Sequence, residues 1–136
     1  MSSQKPAMDL NSLNPILSMD ACSLSRRIQA REISCLEVLD AFHEQIEKLN
    51  PVVNAIVARP DTEQLRDLAR ERDAQLSRGQ SLGPLHGFPQ APKDIAPVAG
   101  MVTTNGSPIF KGQITKTDSA ANANVRASGA IFIGRT

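Results

Sequence analysis

The feature that most constrains the fold is a compact apolar segment near the end of the chain, Gly129-Ala-Ile-Phe-Ile-Gly134. Its apolar residues run without alternating polar positions, which suits a strand buried on both faces, as in parallel sheets covered by helices. A short helix is predicted just before it, at about residues 119–128, started by Asp118. A helix leading into a doubly buried strand predicts an α/β fold.

Two amphipathic helices are predicted in the first part of the chain. Ser18 is placed to cap a helix over about residues 19–31. The segment Ser34-Cys35-Leu36-Glu37 is a capping box, in which the Ser and Glu side chains can each bond the other's backbone N–H. Apolar residues at helical spacing continue this second helix until Asn50-Pro51, where we expect it to stop.

A strand and a third helix are predicted next. Val52 to Ala58 is rich in β-branched residues and predicts a strand. Asp61 and Gln64 then form a second capping arrangement for a helix that extends to about Ser77, with Gly79 as its stop signal. The mixed charges of this helix indicate a solvated face.

Composition excludes several classes of function. The chain has 136 residues, a net charge of +1, four Phe and neither Trp nor Tyr, so neither charge nor stacking favours nucleic acid. With no apolar run of secretory or transmembrane length, we expect a cytoplasmic protein without membrane contact. Cys22 and Cys35 are interpreted as reduced, partly buried thiols. Phosphate-loop and metal-binding motifs are absent, and we expect no cofactor and no metal.

Several isolated features have simpler structural interpretations. Residues 1–17 are polar and are expected to form a flexible leader. The S-x-x-K pattern of Ser2 and Lys5 within them is attributed to chance. Asn105-Gly106 predicts a turn. His86, between a turn and a strand, is expected to bond the backbone.

The chemical anomaly of the sequence lies in the stretch from Gly83 to Phe110. Lys93 and Asp94 stand together there among apolar and proline residues. An amine that loses hydration in apolar surroundings gives up its proton more readily and can act as a base. A solvated or salt-bridging lysine is the competing interpretation, and composition and spacing leave both open. Nothing in the spacing of the nearby serines selects one of them as a partner of Lys93.

At this point several segments, in the right order, resemble the amidase signature family. Gly83-Pro-Leu-His-Gly-Phe-Pro89 followed by Lys93-Asp94-Ile95 is similar to its G-P-L-H-G-h-P and K-D-h motifs. Thr103-Thr-Asn-Gly-Ser107 is similar to its T-T-x-G-S segment. Ser128-Gly-Ala-Ile-Phe-Ile-Gly-Arg-Thr136 is similar to its A-G-A-I-h-h-G-[KR]-T segment. Upstream, residues such as Glu37, Ile46 and Asp73 fall where the family usually has them.

The resemblance implies a Ser–cis-Ser–Lys amidohydrolase with Lys93 as the catalytic base. In such an enzyme the lysine takes a proton through a bridging serine, a second serine attacks an amide carbonyl, and water hydrolyses the acyl-enzyme. The resemblance places both serines and the oxyanion hole in a later Gly/Ser-rich signature, so none of these roles falls on a residue here. Ser107 matches only the structural G-S pair. Pro92, before the lysine, departs from the usual β-former and requires an edge or a bulge in its strand.

Residues 18–136 are therefore expected to be the truncated N-terminal part of an amidase domain, with helices and the first strands of a mixed sheet. The leading hypothesis is an amidase acting on a small-molecule amide, inactive as this isolated chain. We expect no contact of this part with nucleic acid and consider a homodimer. The alternatives are an amidotransferase A-type subunit that acts on glutamine for tRNA amidation, and a non-catalytic truncated remnant. Poor cooperativity or aggregation of the isolated chain would fit a fragment.

Overall fold

The computed structural model describes residues 13–136, so the Ser2/Lys5 pattern and most of the expected leader lie outside the described residues. No helix within this range is long and apolar enough to cross a bilayer. The elements, in chain order, are a 3-10 helix Pro15–Ser18, α1 Ala21–Gln29, α2 Cys35–Val53, α3 Thr62–Ser77, β1 Pro89–Gln90, a second 3-10 helix Pro108–Phe110, α4 Ala120–Ala127 and β2 Ile131–Phe132.

The predicted α/β architecture is confirmed by a small parallel sheet with helices packed on it. β1 pairs with β2 in parallel, with Pro89 opposite Ile131 and Gln90 opposite Phe132. The apolar segment of β2 is buried along its whole length, as the sequence predicts. The main core joins helices α1, α2 and α3 to β2 and to the residues that flank the two strands. Its buried members are Leu24, Ile28, Ile33, Cys35, Val38, Leu39, Leu65, Ala69, Leu76, Phe88, Ile131 and Ile133.

Both predicted capping arrangements at α2 and α3 are confirmed. The Glu37 N–H donates to Ser34 Oγ at 3.0 Å, and the Ser34 N–H donates to Glu37 Oε2 at 2.8 Å. Asp61 accepts from the Gln64 N–H at 3.0 Å. These caps satisfy N–H groups that have no partner inside their helices.

Two helix starts differ from the prediction by one or two residues. The first helix is capped by Asp20, not Ser18, because the Asp20 carboxylate accepts from the Ser23 N–H at 2.9 Å. The last helix is capped by Ser119, not Asp118. Asp118 is instead held by Arg126, through hydrogen bonds of 2.7 and 2.9 Å.

The predicted stop of α2 and the strand after it are wrong. α2 continues through Pro51 to Val53, and Asn54 ends it in the left-handed conformation, with φ of +48°. Pro51 removes only one hydrogen bond, close to the end of the helix, where its cost is small. Val52 and Val53 are exposed. The β propensity of valine depends on packing in a half-buried sheet, which is missing here.

Only Ala58 of the predicted strand has sheet-type pairing, as an isolated antiparallel bridge to Arg135. The chain before it is folded back by the Asn50 side chain. Its amide accepts from the Ile56 N–H at 2.8 Å and donates to the Ile56 carbonyl at 3.0 Å. This local closure competes with an extended strand.

Candidate active site at the carboxyl ends of the strands

The site begins where the pairing of β1 and β2 becomes irregular. Ile131 N–H donates to the Phe88 carbonyl at 2.8 Å, and Ile133 N–H donates to the Gln90 carbonyl at 2.9 Å. The next bond runs from Thr136 N–H to the Pro92 carbonyl at 3.2 Å, so three residues of one strand span two of the other. The extra residue of this irregular pairing lies on the segment that follows β2, opposite Pro92, and Pro92 itself has no N–H to continue a regular ladder.

The bulge turns Arg135 away from the regular ladder. Its N–H donates to the Ala58 carbonyl, and its carbonyl accepts from the Val57 N–H, both at 2.8 Å. Its side chain has 0% relative exposure and lies beneath the loop that follows β1. The guanidinium donates to carbonyls of Pro92, Lys93, Ala96 and Val102 and to Thr103 Oγ1.

Asp94 points inward from the same loop. Its carboxylate accepts from the Thr104 N–H at 3.0 Å and from the Thr104 hydroxyl, and it lies 3.5 Å from Arg135 Nη2. Burial raises the pKa of Asp94, but the Thr104 hydrogen bonds and the Arg135 charge outweigh burial and hold the pKa below its usual range. Burial lowers the pKa of Arg135, and Asp94 opposes that change.

Lys93 points the other way and is exposed. Its amine makes no salt bridge with any carboxylate of residues 13–136. The expectation that its apolar sequence neighbours enclose it is not met. Phe88 and Val98 are buried in the core, whereas Ile95 is 68% exposed, because successive residues of this irregular loop face opposite sides.

A cavity of about 680 Å³ opens beside the Lys93 side chain. Val57, Ile95 and Pro108 contribute apolar wall, and Lys111 contributes a second amine. Thr136 also borders it, and Asp94 N–H donates to the Thr136 carbonyl at 2.8 Å. The cavity therefore lies at the carboxyl ends of two parallel strands, where functional sites of α/β proteins are found.

The structure brings one of the serines near Lys93 in sequence to this cavity. Ser107 borders it, but its Oγ accepts from the Ile109 N–H at 3.4 Å and caps the second 3-10 helix. Ser119 caps α4, and Ser128 Oγ donates to the Asn124 carbonyl at 3.0 Å. No serine hydroxyl of the described range hydrogen-bonds the Lys93 amine.

The other isolated features have structural roles. His86 is buried; its Nδ1 accepts from the Leu82 N–H at 3.1 Å, which leaves Nε2 as donor to the Arg72 carbonyl at 2.9 Å. Asn105 and Gly106 both have positive φ, as a hairpin-type turn requires.

The two cysteines are free thiols, as expected. Cys22 is exposed and Cys35 is buried. Burial, reinforced by the Asp73 carboxylate, raises the pKa of Cys35 to about 12.

Sequence reasoning missed Arg135 and Thr104 as parts of the site. Both stand within the segments quoted for the family resemblance, but their role depends on contacts with residues 10 to 43 positions away. A hint was present for Arg135, a charged residue directly after a doubly buried apolar strand. Such a residue needs either solvent or several partners.

Comparison with known proteins identifies the family. The model of the Amidase family matches residues 37–136. The A-type subunit of glutamyl-tRNA(Gln) amidotransferase from Acidothermus cellulolyticus is 36% identical over 124 residues, which is 91% of this chain and 24% of that protein. The acylamidase of Rhodococcus erythropolis is 31% identical over 118 residues, covering 87% of this chain and 24% of that protein.

Solved structures agree with the sequence relatives. The native peptide amidase from Stenotrophomonas maltophilia matches with a TM-score of 0.77 and 31% identity, over 90% of this chain and 25% of that chain. The chain thus spans about a quarter of the length of the curated relatives that it matches. A family model that covers most of the residues, supported by these relatives, shows that the chain belongs to the amidase signature family.

Proposed function

We propose that these residues are the part of an amide hydrolase that carries the catalytic base, Lys93. One observation carries the proposal: the Lys93 amine is exposed in a cavity of about 680 Å³ at the carboxyl ends of two parallel strands. It has no carboxylate partner among residues 13–136 that would hold its proton. The substrate would be a small-molecule carboxylic amide, and the enzyme would act in the cytoplasm.

In this proposal the residues described here supply the base, and a pair of serines supplies the nucleophile and the bridging hydroxyl. Lys93 would accept the proton released when a serine attacks the amide carbonyl, and would return it to the leaving amine. The exposed apolar side chains of Val57 and Ile95 suit the acyl portion of a substrate. Ser107 would remain a structural residue, because its Oγ already caps a helix.

The test uses the natural gene product that contains these 136 residues. Benzamide, 4-nitroacetanilide and L-glutamine are assayed by release of ammonia or 4-nitroaniline, and hydroxylamine is added to trap an acyl-enzyme as a hydroxamate. Lys93→Met should lower kcat at least about 100-fold, the scale expected for loss of a general base. Lys111→Met is the matched control, since it removes the other amine of the same cavity; its kcat should change less than about threefold.

Two further variants sharpen the assignment. Ser107→Ala should keep its activity, whereas a nucleophilic Ser107 would lose it. Residues 1–136 expressed alone should not hydrolyse the three amides. The proposal fails if Lys93→Met retains activity, or if Lys111→Met loses as much as Lys93→Met.

An amidotransferase component is a second candidate, favoured by the 36% identity to the A-type subunit of glutamyl-tRNA(Gln) amidotransferase. Such a protein would use Lys93 in the same role, with glutamine as the amide. Hydrolysis of L-glutamine alone among the three amides, with co-purification of stoichiometric partner subunits, would favour it. Hydrolysis of benzamide or 4-nitroacetanilide by the isolated protein would favour the amidase.

A further inference from the structure

A fully buried arginine lies directly under the loop that presents Lys93. Arg135 has 0% relative exposure, although arginine is among the residues least often buried completely. Removing a guanidinium from water is costly unless its donors are bonded and its charge is opposed. The partners of this side chain therefore indicate what it stabilises.

Those partners are concentrated on one short loop. Arg135 Nη2 donates to the Lys93 carbonyl at 2.9 Å and to the Ala96 carbonyl at 2.8 Å, and Nε donates to the Pro92 carbonyl at 3.3 Å. Nη1 donates to Thr103 Oγ1 at 3.0 Å, which joins the loop to the segment that carries Thr104. Without the guanidinium, the Pro92 and Lys93 side of the loop would lose its inner anchor.

The same guanidinium also holds the Asp94 carboxylate, the negative charge next to Lys93 in sequence. The Asp94 carboxylate lies 3.5 Å from Arg135 Nη2 and accepts from the Thr104 N–H and hydroxyl. The side chains of these two consecutive residues therefore differ in exposure: that of Asp94 is buried and that of Lys93 is exposed. If Arg135 were absent, the carboxylate would lose its cationic partner, and the amine of the adjacent residue, Lys93, could then pair with it.

We propose that Arg135 is a positioning residue for Lys93: it anchors the 92–96 loop from below and keeps the Asp94 carboxylate away from the amine. The catalytic part rests on the proposed function of Lys93, whereas the anchoring of the loop does not. The charged side chains that border the same cavity as Lys93 are Asp94 and Lys111, and Arg135 lies beneath the loop.

The test compares Arg135→Met with Arg135→Lys in the natural gene product. Arg135→Met should lower kcat at least about 30-fold with KM changed less than about threefold, because the amine is misdirected but the cavity wall remains. The pH at half-maximal activity should rise by about one, because a freed carboxylate paired with Lys93 holds its proton. Arg135→Lys keeps the cation and up to three donors, and should recover at least half of the pH displacement.

Arg72→Met is the matched control for burial. Arg72 is 9% exposed and also donates to a buried carbonyl, that of Gly129 at 3.3 Å, but it does not touch the Lys93 loop. It should lower the free energy of unfolding without moving the pH profile. If Arg135→Met changes stability alone, as Arg72→Met does, the proposal is overturned.

Thr104→Val covers the case in which Arg135→Met does not fold. The change removes the hydroxyl that donates to Asp94 and keeps the backbone N–H and side-chain volume, and the pH at half-maximal activity should again rise. An unchanged pH profile in Thr104→Val contradicts the charge-steering role.

Hydrogen exchange separates a failure of this proposal from a failure of the proposed function. The amides of Asp94, Ala96 and Thr104 should exchange at least about tenfold faster in Arg135→Met than in Arg72→Met, whether or not Lys93 is catalytic. Faster exchange together with full activity of Lys93→Met would refute the catalytic role and support the loop anchor. Equal exchange in the two arginine variants would refute the anchor.

Discussion

The amino end of α2 is capped from another helix, and Asp73→Asn tests what that contact contributes. Asp73, on α3, accepts from the Cys35 N–H at 2.6 Å and from the Leu36 N–H at 3.2 Å. Ser34 and Glu37 satisfy the other two N–H groups of the first turn. All four free donors of the helix are therefore bonded, two of them by a residue almost forty positions away.

The expected loss of stability in Asp73→Asn follows from the two hydrogen bonds that Asp73 accepts. Asparagine keeps one acceptor oxygen and places an amide nitrogen against the second N–H, so one bond to a charged acceptor is lost, at about 1.5–3 kcal/mol. Loss of the negative charge at a helix amino end adds about 0.3–1 kcal/mol. We expect Asp73→Asn to lower the free energy of unfolding by about 3 kcal/mol.

The measurement is urea denaturation of the natural gene product, followed by far-ultraviolet circular dichroism. Asp67→Asn is the matched control, because Asp67 lies on the same helix in an exposed pair with Arg70 and such pairs contribute no more than about 1 kcal/mol. A loss in Asp73→Asn no greater than that in Asp67→Asn would refute the reasoning.

A second readout uses the buried thiol beside the cap. Burial is the larger cause of the raised pKa of Cys35 and the Asp73 carboxylate the next, so Asp73→Asn should lower that pKa and speed alkylation of Cys35 by iodoacetamide. Ser34→Ala weakens the same helix end without removing a charge near the thiol, and should accelerate alkylation less. Equal acceleration in the two variants would mean that helix fraying, not charge, controls the thiol.

Two further predictions concern the close contact of Gly87 with Cys35 and the half-buried carboxylate of Asp118. In urea denaturation, Gly87→Ala should lower the free energy of unfolding by about 1–3 kcal/mol more than Gly79→Ala does. Both glycines have φ above +70°, so backbone strain is similar in the two variants. At Gly87, but not at Gly79, the new Cβ would overlap the Cys35 side chain. A hydrogen bond from Arg126 outweighs burial and lowers the pKa of Asp118, so its contribution to stability is complete above about pH 4 and is lost as pH falls through the lowered pKa. Asp118→Asn should therefore be less stable at pH 7 but lose less stability on acidification, and an unchanged acid slope would contradict this.

The sequence predicts local structure here better than it predicts the site. The capping residues of α2 and α3 are correctly predicted, because a capping box joins residues three apart. The interruption of the ladder at Pro92 is also predictable, since proline has no N–H to donate to it. The β-branched run from Val52 to Ala58 fails as a predictor of a strand, because α2 extends through Val53 and the Asn50 side chain folds the chain back after it.

Long-range contacts explain what the sequence could not show. The family resemblance marks Asp73 as typical, but only the fold reveals that it caps a different helix. Arg135 is part of a recognised segment, yet its five acceptors come from the loops that begin at Pro92 and Val102. The orientation of the Lys93 side chain depends on the same contacts between Arg135 and the loop. Neither the hydrophobicity nor the periodicity of the neighbouring residues predicts that orientation.

Lys93 is exposed, so its apolar neighbours in sequence are not what could make it a base. Apolar residues next to it in sequence do not cover the amine, so the loop alone does not dehydrate it. The side chains that could do so are Val57 and Ile95, which are exposed on the walls of the cavity. When an apolar acyl group fills the space between them, water is excluded from around the amine. The apolar setting predicted for Lys93 is therefore a property of the occupied cavity, while Arg135 fixes beforehand which of the two neighbouring charges faces it.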